Sequence, residues 1–193
     1  MIDYIKGSIT KITPACVVLE TSGIGYFINI SLSTFSELEN KIDVKILIHE
    51  VIREDAHQLF GFANIKERDI FRYLISVTGI GANTARMMLS SLSPAELELA
   101  IVSSDVNVLK NIKGIGLKTA QRIIVDLKEK LGKSTETIEI FASSDNTNRE
   151  EALSALVMLG FAKSAVSKTL DNIVREEKNL TVEAMIKKAL KNL

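Results

Sequence analysis

An alternation of apolar and polar positions marks the first sixty residues as β structure. Apolar side chains fall on every second position in 26–30 and 44–48, whereas 17–19 is a short continuous apolar run. Such patterns are typical of strands that bury one face, and turn-forming pairs separate them. The five predicted strands cover residues 5–12, 17–19, 26–30, 44–48 and 58–62, with a short helix near 33–38. This order predicts a five-stranded barrel of the oligonucleotide-binding (OB) type.

After residue 64 the apolar positions change to helical spacing. Ile70, Phe71 and Leu74 mark one face of a first helix, and later segments repeat the pattern. We therefore predict an all-helical domain, followed by a polar linker without basic residues and a bundle of three short helices, the last capped by Thr181. The predicted division is a barrel at 1–63, a helical domain at 64–133, a flexible linker at 134–148 and a three-helix domain at 149–193.

Within the helical domain the chain repeats itself with an offset of 35 residues. The segment TGIGANTA at 78–85 matches KGIGLKTA at 113–120. Between two helices, the first glycine of each pair ends a helix in the left-handed conformation, and the second lets backbone approach a ligand closely. The next helix then begins with free amides and a positive dipole end, which together suit one phosphate group. The alternative interpretation is a tight interhelical turn that binds no ligand. Two copies at matched positions favour the phosphate site over this alternative.

The repeat predicts a set of phosphate-binding residues. Lys118 and Arg122 are one helical turn apart and add positive charge to the second copy, whereas Asn83 stands where Lys118 stands. We therefore expect the first copy to bind more weakly. The predicted phosphate-binding residues are Gly79, Gly81, Asn83, Thr84, Gly114, Gly116, Lys118, Thr119 and Arg122. The pattern resembles the helix-hairpin-helix motif of DNA repair and recombination proteins, which grips the DNA backbone without reading bases.

The distribution of charge along the chain supports a nucleic-acid partner, although the net charge does not. The formal net charge is zero, but residues 63–133 carry 11 basic and 7 acidic side chains, whereas residues 1–62 carry 5 and 8. Positive charge is thus concentrated in the segment that holds the repeat, as phosphate binding requires. A solvated helical surface could show the same modest excess.

Other functions find little support in the sequence. Residues 114–119 lack the glycine and lysine spacing of a P-loop, and two histidines with one cysteine give no metal-ligand pattern. We therefore predict no catalytic residues, no metal and no cofactor. The single cysteine, Cys16, cannot form an internal disulfide, and we see neither a signal-peptide pattern nor a membrane span. We expect a cytoplasmic protein.

Taken in order, these segments resemble the RuvA family of Holliday junction branch-migration proteins over essentially the full length. The most specific pieces are VIREDA at 51–56 with LFGF at 59–62, both Gly-Ile-Gly hairpins, and LVMLGF at 156–161. The resemblance implies an α+β multidomain protein with an OB barrel, a tandem helix-hairpin-helix domain and a UBA-like three-helix bundle.

The resemblance also implies partners and further site residues. In that family a homotetramer, or an octamer on DNA, holds the four-way junction open, and the hexameric ATPase RuvB docks on the C-terminal domains. The resolvase RuvC is a possible further partner. Glu54 and Asp55 would form an acidic pin, although without the resemblance they would be taken for a solvated turn. The motor-binding residues would include Leu159, Gly160 and Phe161.

Two alternatives belong to other functional classes. DNA glycosylase/lyases also place a lysine in a Gly-x-Gly-x-Lys-Thr-Ala hairpin, where a desolvated amine attacks the sugar, and Lys118 fits that spacing. Such enzymes also need a positioned acid and a pocket for a flipped base. A scaffold or single-strand binder is disfavoured because aromatic residues, which supply stacking platforms, make up only 5% of the chain.

Overall fold

The structure is a computed structural model that describes residues 1–140, 144–177 and 180–193, without the side chains of 132–140, 144–147 and 176. The chain divides into two compact units, Met1–Gly132 and Lys133–Leu193. Each unit has its own buried core, so each is described by itself.

The first unit begins with a closed barrel in the order β1-β2-β3-β5-β4, in which only the β3–β5 pair is parallel. The strands are β1 Tyr4–Thr13, β2 Cys16–Thr21, β3 Ile24–Ile30, β4 Asp43–Ile52 and β5 His57–Phe62, and helix α1, Leu32–Leu38, follows β3. Inward-facing Val17, Leu19 and Ile28 are fully buried, which confirms the predicted five-stranded barrel. Gly7 lets β1 cross β2 closely, because a Cβ there would lie 2.1 Å from the Glu20 carbonyl oxygen.

Five helices follow the barrel and carry the sequence repeat, and the last of them extends past the end of the first unit at Gly132. They are α2 Ile65–Ile75, α3 Ala82–Ser91, α4 Pro94–Val102, α5 Val106–Lys110 and α6 Leu117–Ile140. This confirms the predicted helical segment. Helix α6 continues past residue 133, where the sequence suggested a linker, because the stretch from 133 to 140 contains no glycine or proline to end it. The Ile138–Phe141 cluster in the predicted linker lies outside the residues whose side chains are described.

The barrel and the helices of the first unit share a core around Phe71. Its ring centroid lies 5.3 Å from that of Phe60 and 4.9 Å from that of Phe62, both on β5. Beside it, the buried carboxylate of Glu67 accepts hydrogen bonds from the hydroxyls of Ser31 and Thr34, next to and within α1. The barrel therefore holds α2, and with it the first hairpin, through both apolar and polar contacts.

Glu67 should leave a signature in the pH dependence of stability. Burial raises the pKa of Glu67, and nearby Glu37 acts in the same direction, although the Ser31 and Thr34 hydroxyls oppose it. In the unfolded chain the pKa is about 4.3, so above that pH the folded state binds more protons than the unfolded state. Ionisation of Glu67 therefore lowers the free energy of unfolding as pH rises from about 4.3 through the raised folded pKa.

We expect Glu67→Gln to remove this part of the pH dependence. The introduced side-chain amide can still form hydrogen bonds with the two hydroxyls, so the variant should fold. Urea unfolding over a pH series should show a stability difference that moves in favour of the variant as pH rises through that window. If the free energies of unfolding of the two proteins changed in parallel with pH, Glu67 would not be the source of this pH dependence.

The second unit is a bundle of α7 Ser144–Met158, α8 Lys163–Glu176 and α9 Val182–Asn192. The Thr181 side chain caps α9 by accepting from the Ala184 amide, as predicted. Leu156, Val166 and Leu170 form the centre of its core. Among the described residues, no helix is long and apolar enough to cross a membrane.

Candidate nucleic-acid interface

The two copies of the repeat adopt the same backbone structure. The Ile80 amide donates to the Val77 carbonyl at 3.0 Å, and the Ile115 amide donates to the Ile112 carbonyl at the same distance. These four positions are related by the 35-residue offset and all four side chains are buried. The isoleucine of each Gly-Ile-Gly thus anchors its turn in the core, leaving the two glycines at the surface.

The first glycine of each pair has the left-handed conformation that the repeat predicts. Gly79 and Gly114 have φ of 94° and 87°, a left-handed conformation that side chains disfavour. Gly81 precedes α3 without a side-chain cap, and the first helical bond runs from the Ala85 amide to the Gly81 carbonyl. The amides before Ala85 in the first turn of α3 therefore point away from the helix and can bind an anion.

The same arrangement holds for the second copy. The Ala120 amide donates to the Gly116 carbonyl at 2.9 Å, as Ala85 does to Gly81. Lys118 is exposed near the start of α6, and Thr119 and Thr84 are partly exposed at equivalent positions. No ion pair involves Lys118 in the part of the chain that the structure describes. Its charge is therefore not neutralised by a neighbouring carboxylate.

Contacts between the hairpins set their spacing. Arg122, on α6, donates to the carbonyl of Thr78 in the first hairpin at 3.2 Å. At the position equivalent to Arg122, Met87 on α3 packs near Gly114 of the second hairpin, 3.4 Å from where a Cβ would lie. Each second helix therefore meets the turn of the other copy. Arg122 was predicted only as a phosphate ligand, and the structure also gives it this bracing contact.

Arg86, which lies on α3 three residues after Asn83, was not among the predicted site residues. Its Nη1 donates to the carbonyl of Ala15, in the turn between β1 and β2, at 2.8 Å. The contact spans 71 positions in the chain, so no local pattern reveals it. The only available signal was that residues three apart share one helical face.

Glu54 and Asp55 lie together at an exposed turn between β4 and β5. The Arg53 amide donates to the Ala56 carbonyl at 2.8 Å, which closes a hairpin with the two carboxylates at its tip. At its base, Glu50 accepts from the Ile2 amide at 2.8 Å and contacts His57 Nε2 at 2.9 Å. The hydrogen bond from the Ile2 amide, and to a smaller extent the contact with His57, lowers the pKa of Glu50.

The predicted motor-binding residues, Leu159, Gly160 and Phe161, follow directly after α7. The Phe161 amide donates to the Leu156 carbonyl and the Gly160 amide to the Val157 carbonyl, which is a Schellman cap around Gly160 with φ of 99°. Phe161 packs against the core of the second unit, so its first role is structural. Leu159 is 64% exposed and Met158 is 86% exposed, which leaves an apolar edge open to solvent.

In residues 1–140, 144–177 and 180–193, no group of three or more His, Cys, Asp or Glu side chains is placed to hold an ion.

Comparison with known proteins assigns all three parts of the chain. Residues 1–61 match the RuvA N terminal domain, 71–129 the SAM-like Helix-hairpin-helix tandem, and 147–193 the RuvA C-terminal domain. Proteins named Holliday junction branch migration complex subunit RuvA are 51% identical in Christiangramia forsetii and 49% in Bacteroides thetaiotaomicron, with both sequences fully covered. The equivalent protein of Porphyromonas gingivalis is 46% identical over the same full coverage. The chain belongs to the RuvA family.

Proposed function

We propose that this protein binds four-way DNA junctions and serves as the DNA-binding subunit of a branch-migration complex in recombination and repair. The observation that carries the proposal is the pair of hairpins with equivalent backbone hydrogen bonds and exposed glycines. The relatives that match the whole chain are named for the same complex. The arrangement suits recognition of backbone geometry and not of base sequence.

A gel-shift titration tests this proposal directly. A synthetic four-way junction and a linear duplex of equal length and shared sequence are compared, and we expect the junction to bind more tightly at every salt concentration. The logarithm of the junction association constant should fall linearly with the logarithm of the salt concentration, with a slope of about −0.9 per phosphate contacted. This quantity is the salt slope. Equal affinity for the two DNAs would refute the proposal.

The predicted phosphate ligands divide into two kinds. Gly79 and Gly81, with Gly114 and Gly116, allow the DNA backbone to approach the amides at the starts of α3 and α6. A Cβ at Gly79, Gly81 or Gly116 would meet no atom within 4 Å, so these sites face open space where a strand can enter. In this proposal the side chains of Asn83, Thr84, Lys118, Thr119 and Arg122 supply hydrogen bonds and charge to the bound phosphates.

Glu54 and Asp55 act as an acidic pin at the junction centre in this proposal. Two exposed carboxylates on a closed hairpin tip repel converging phosphates, and the repulsion is largest at low ionic strength. They therefore disfavour stacked arms and help to separate strands.

Replacing both pin residues by asparagine should tighten binding to plain duplex DNA. We expect Glu54→Asn with Asp55→Asn to raise duplex affinity several-fold at low salt, with a difference that shrinks as salt is added. Because the turn is closed by backbone bonds of Arg53 and Ala56, the fold should be unaffected. Unchanged duplex affinity at low salt would remove the pin argument.

The second unit is proposed to recruit the motor. Its exposed apolar edge at Met158 and Leu159 suits a protein partner, and the relatives' names place them in a multi-subunit complex. The partner would be the RuvB-type hexameric ATPase, with RuvC as a possible further partner. A homotetramer, or two on one junction, would present several hairpin pairs to the four arms, and light scattering measures the subunit number.

The chain is proposed to have no catalytic activity of its own. A lyase requires a desolvated amine, whereas the Lys118 side chain is exposed to solvent. The RuvA domain models also leave the glycosylase/lyase alternative without support. Borohydride treatment with abasic-site duplex should trap no covalent adduct; a trapped adduct would restore that alternative.

A further inference from the structure

The first hairpin lacks the basic residue that the second hairpin carries at the equivalent position. Asn83 replaces Lys118, and Met87 replaces Arg122. Arg122 of α6 contacts the Thr78 carbonyl of this hairpin, but α3 itself has no basic residue at either of these two positions. Arg86 is the nearest basic residue along α3, whereas the equivalent position in the second copy is the uncharged Gln121.

The position of Arg86 on α3 brings it within reach of the first amide site. Three residues along a helix rise about 4.5 Å, and side chains lean towards the N-terminus of their helix. Arg86, Asn83 and Thr84 together line an open cleft of about 400 Å³, whose opposite wall includes Pro14 and Ala15 of the barrel. The guanidinium thus borders the same space as the start of α3.

The contacts of Arg86 hold its side chain without neutralising it. Nη1 donates to the Ala15 carbonyl at 2.8 Å and lies 3.5 Å from the Asn29 Oδ1, and both partners are uncharged. Among the described residues, no carboxylate forms an ion pair with Arg86. An arginine bound only to neutral oxygens keeps its full charge and has further N–H groups for a phosphate.

We propose that Arg86 is the phosphate-binding cation that α3 supplies to the first hairpin, pre-positioned by the barrel turn at Ala15. This inference rests on the proposed function. It assigns the cleft between that turn and α3 to the DNA backbone, so that the barrel wall and the hairpin contact the same strand. Helix α3 then supplies one positive charge to its hairpin, as α6 does with Lys118.

The test compares three variants in junction titrations over a salt series. Arg86→Gln should weaken binding by about tenfold and make the salt slope less negative by about 0.9 for each Arg86 that contacts a phosphate. Arg86→Lys should keep the slope, since it keeps the charge. Adding Asn83→Lys to Arg86→Gln should restore the slope, because it places an ammonium where the second hairpin has Lys118.

Two controls separate the possible failures. Lys128→Gln removes a charge that contacts Ser104 on another part of the helical domain and should leave the slope unchanged. Lys118→Gln reports on the second hairpin. If Arg86→Gln lowers only the melting temperature while Lys118→Gln changes the slope, Arg86 is merely a brace to the barrel and the inference is overturned, but the proposed function stands. If neither variant changes the slope, the proposed function fails as well.

Discussion

Lys118→Glu is expected to bind a four-way junction about a hundredfold more weakly than the unchanged protein, or weaker still. A charge-assisted hydrogen bond contributes about 1.5–3 kcal/mol, and about 1.4 kcal/mol corresponds to a factor of ten in affinity. The substitution removes this contact and places a carboxylate beside a phosphate. Because Lys118 is exposed, the fold should not change. Gel-shift titration at fixed salt measures the effect, with thermal unfolding as the check on folding.

Lys128→Glu is the matched control for this prediction. It makes the same change of charge on the same helix, ten residues and about 15 Å further along α6, where Lys128 donates to the Ser104 hydroxyl. We expect its junction affinity to fall far less than that of Lys118→Glu. Equal losses for the two variants would mean that only the overall charge matters, and the second hairpin would lose its assigned role.

Local patterns predict those parts of the fold that depend on neighbouring residues. Alternation and short apolar runs between turn-forming pairs placed the five strands, and the repeat placed both hairpins, because burial of one face imposes a period on the sequence. The parallel pairing of β3 with β5, which joins Ile28 to Leu59, depends on closing the barrel and has no local signal. A linker was predicted from residue 134, whereas α6 continues to Ile140, because polar composition alone does not prevent helical structure.

In the candidate site, too, features with a local sequence signal were predicted and features that depend on distant contacts were not. Glycine pairs between helices indicate a phosphate site because their backbone requirements are local. The bracing contact of Arg122 is with Thr78, 44 residues away in the sequence. The role proposed for Arg86 depends on its contact with Ala15, 71 residues away. Neither contact has a local signal in the sequence. Glu67 lies at the start of α2 and would be taken for an exposed capping residue, yet its carboxylate is buried against α1.

Changing the exposed apolar edge of the second unit should uncouple the motor from DNA binding. We expect Met158→Gln with Leu159→Gln to abolish most of the stimulation of the RuvB-type ATPase, raising the concentration needed for half-maximal stimulation by at least about tenfold. Truncation of a hot-spot side chain at the centre of an interface costs about 2 kcal/mol or more, which exceeds the roughly 1.4 kcal/mol of a tenfold change. Both side chains are mostly solvent-exposed, so α7 and its cap at Gly160 should remain intact.

Leu190→Gln provides the control, because Leu190 is a partly exposed leucine on α9 of the same unit and should tolerate the change without loss of stimulation. The double variant must also keep its junction affinity within about twofold, since both hairpins belong to the first unit. ATPase assays with junction DNA present, paired with gel shifts, measure both quantities. Full stimulation by the double variant would move the motor contact away from the end of α7, and a parallel loss of junction binding would contradict the division of labour between the two units.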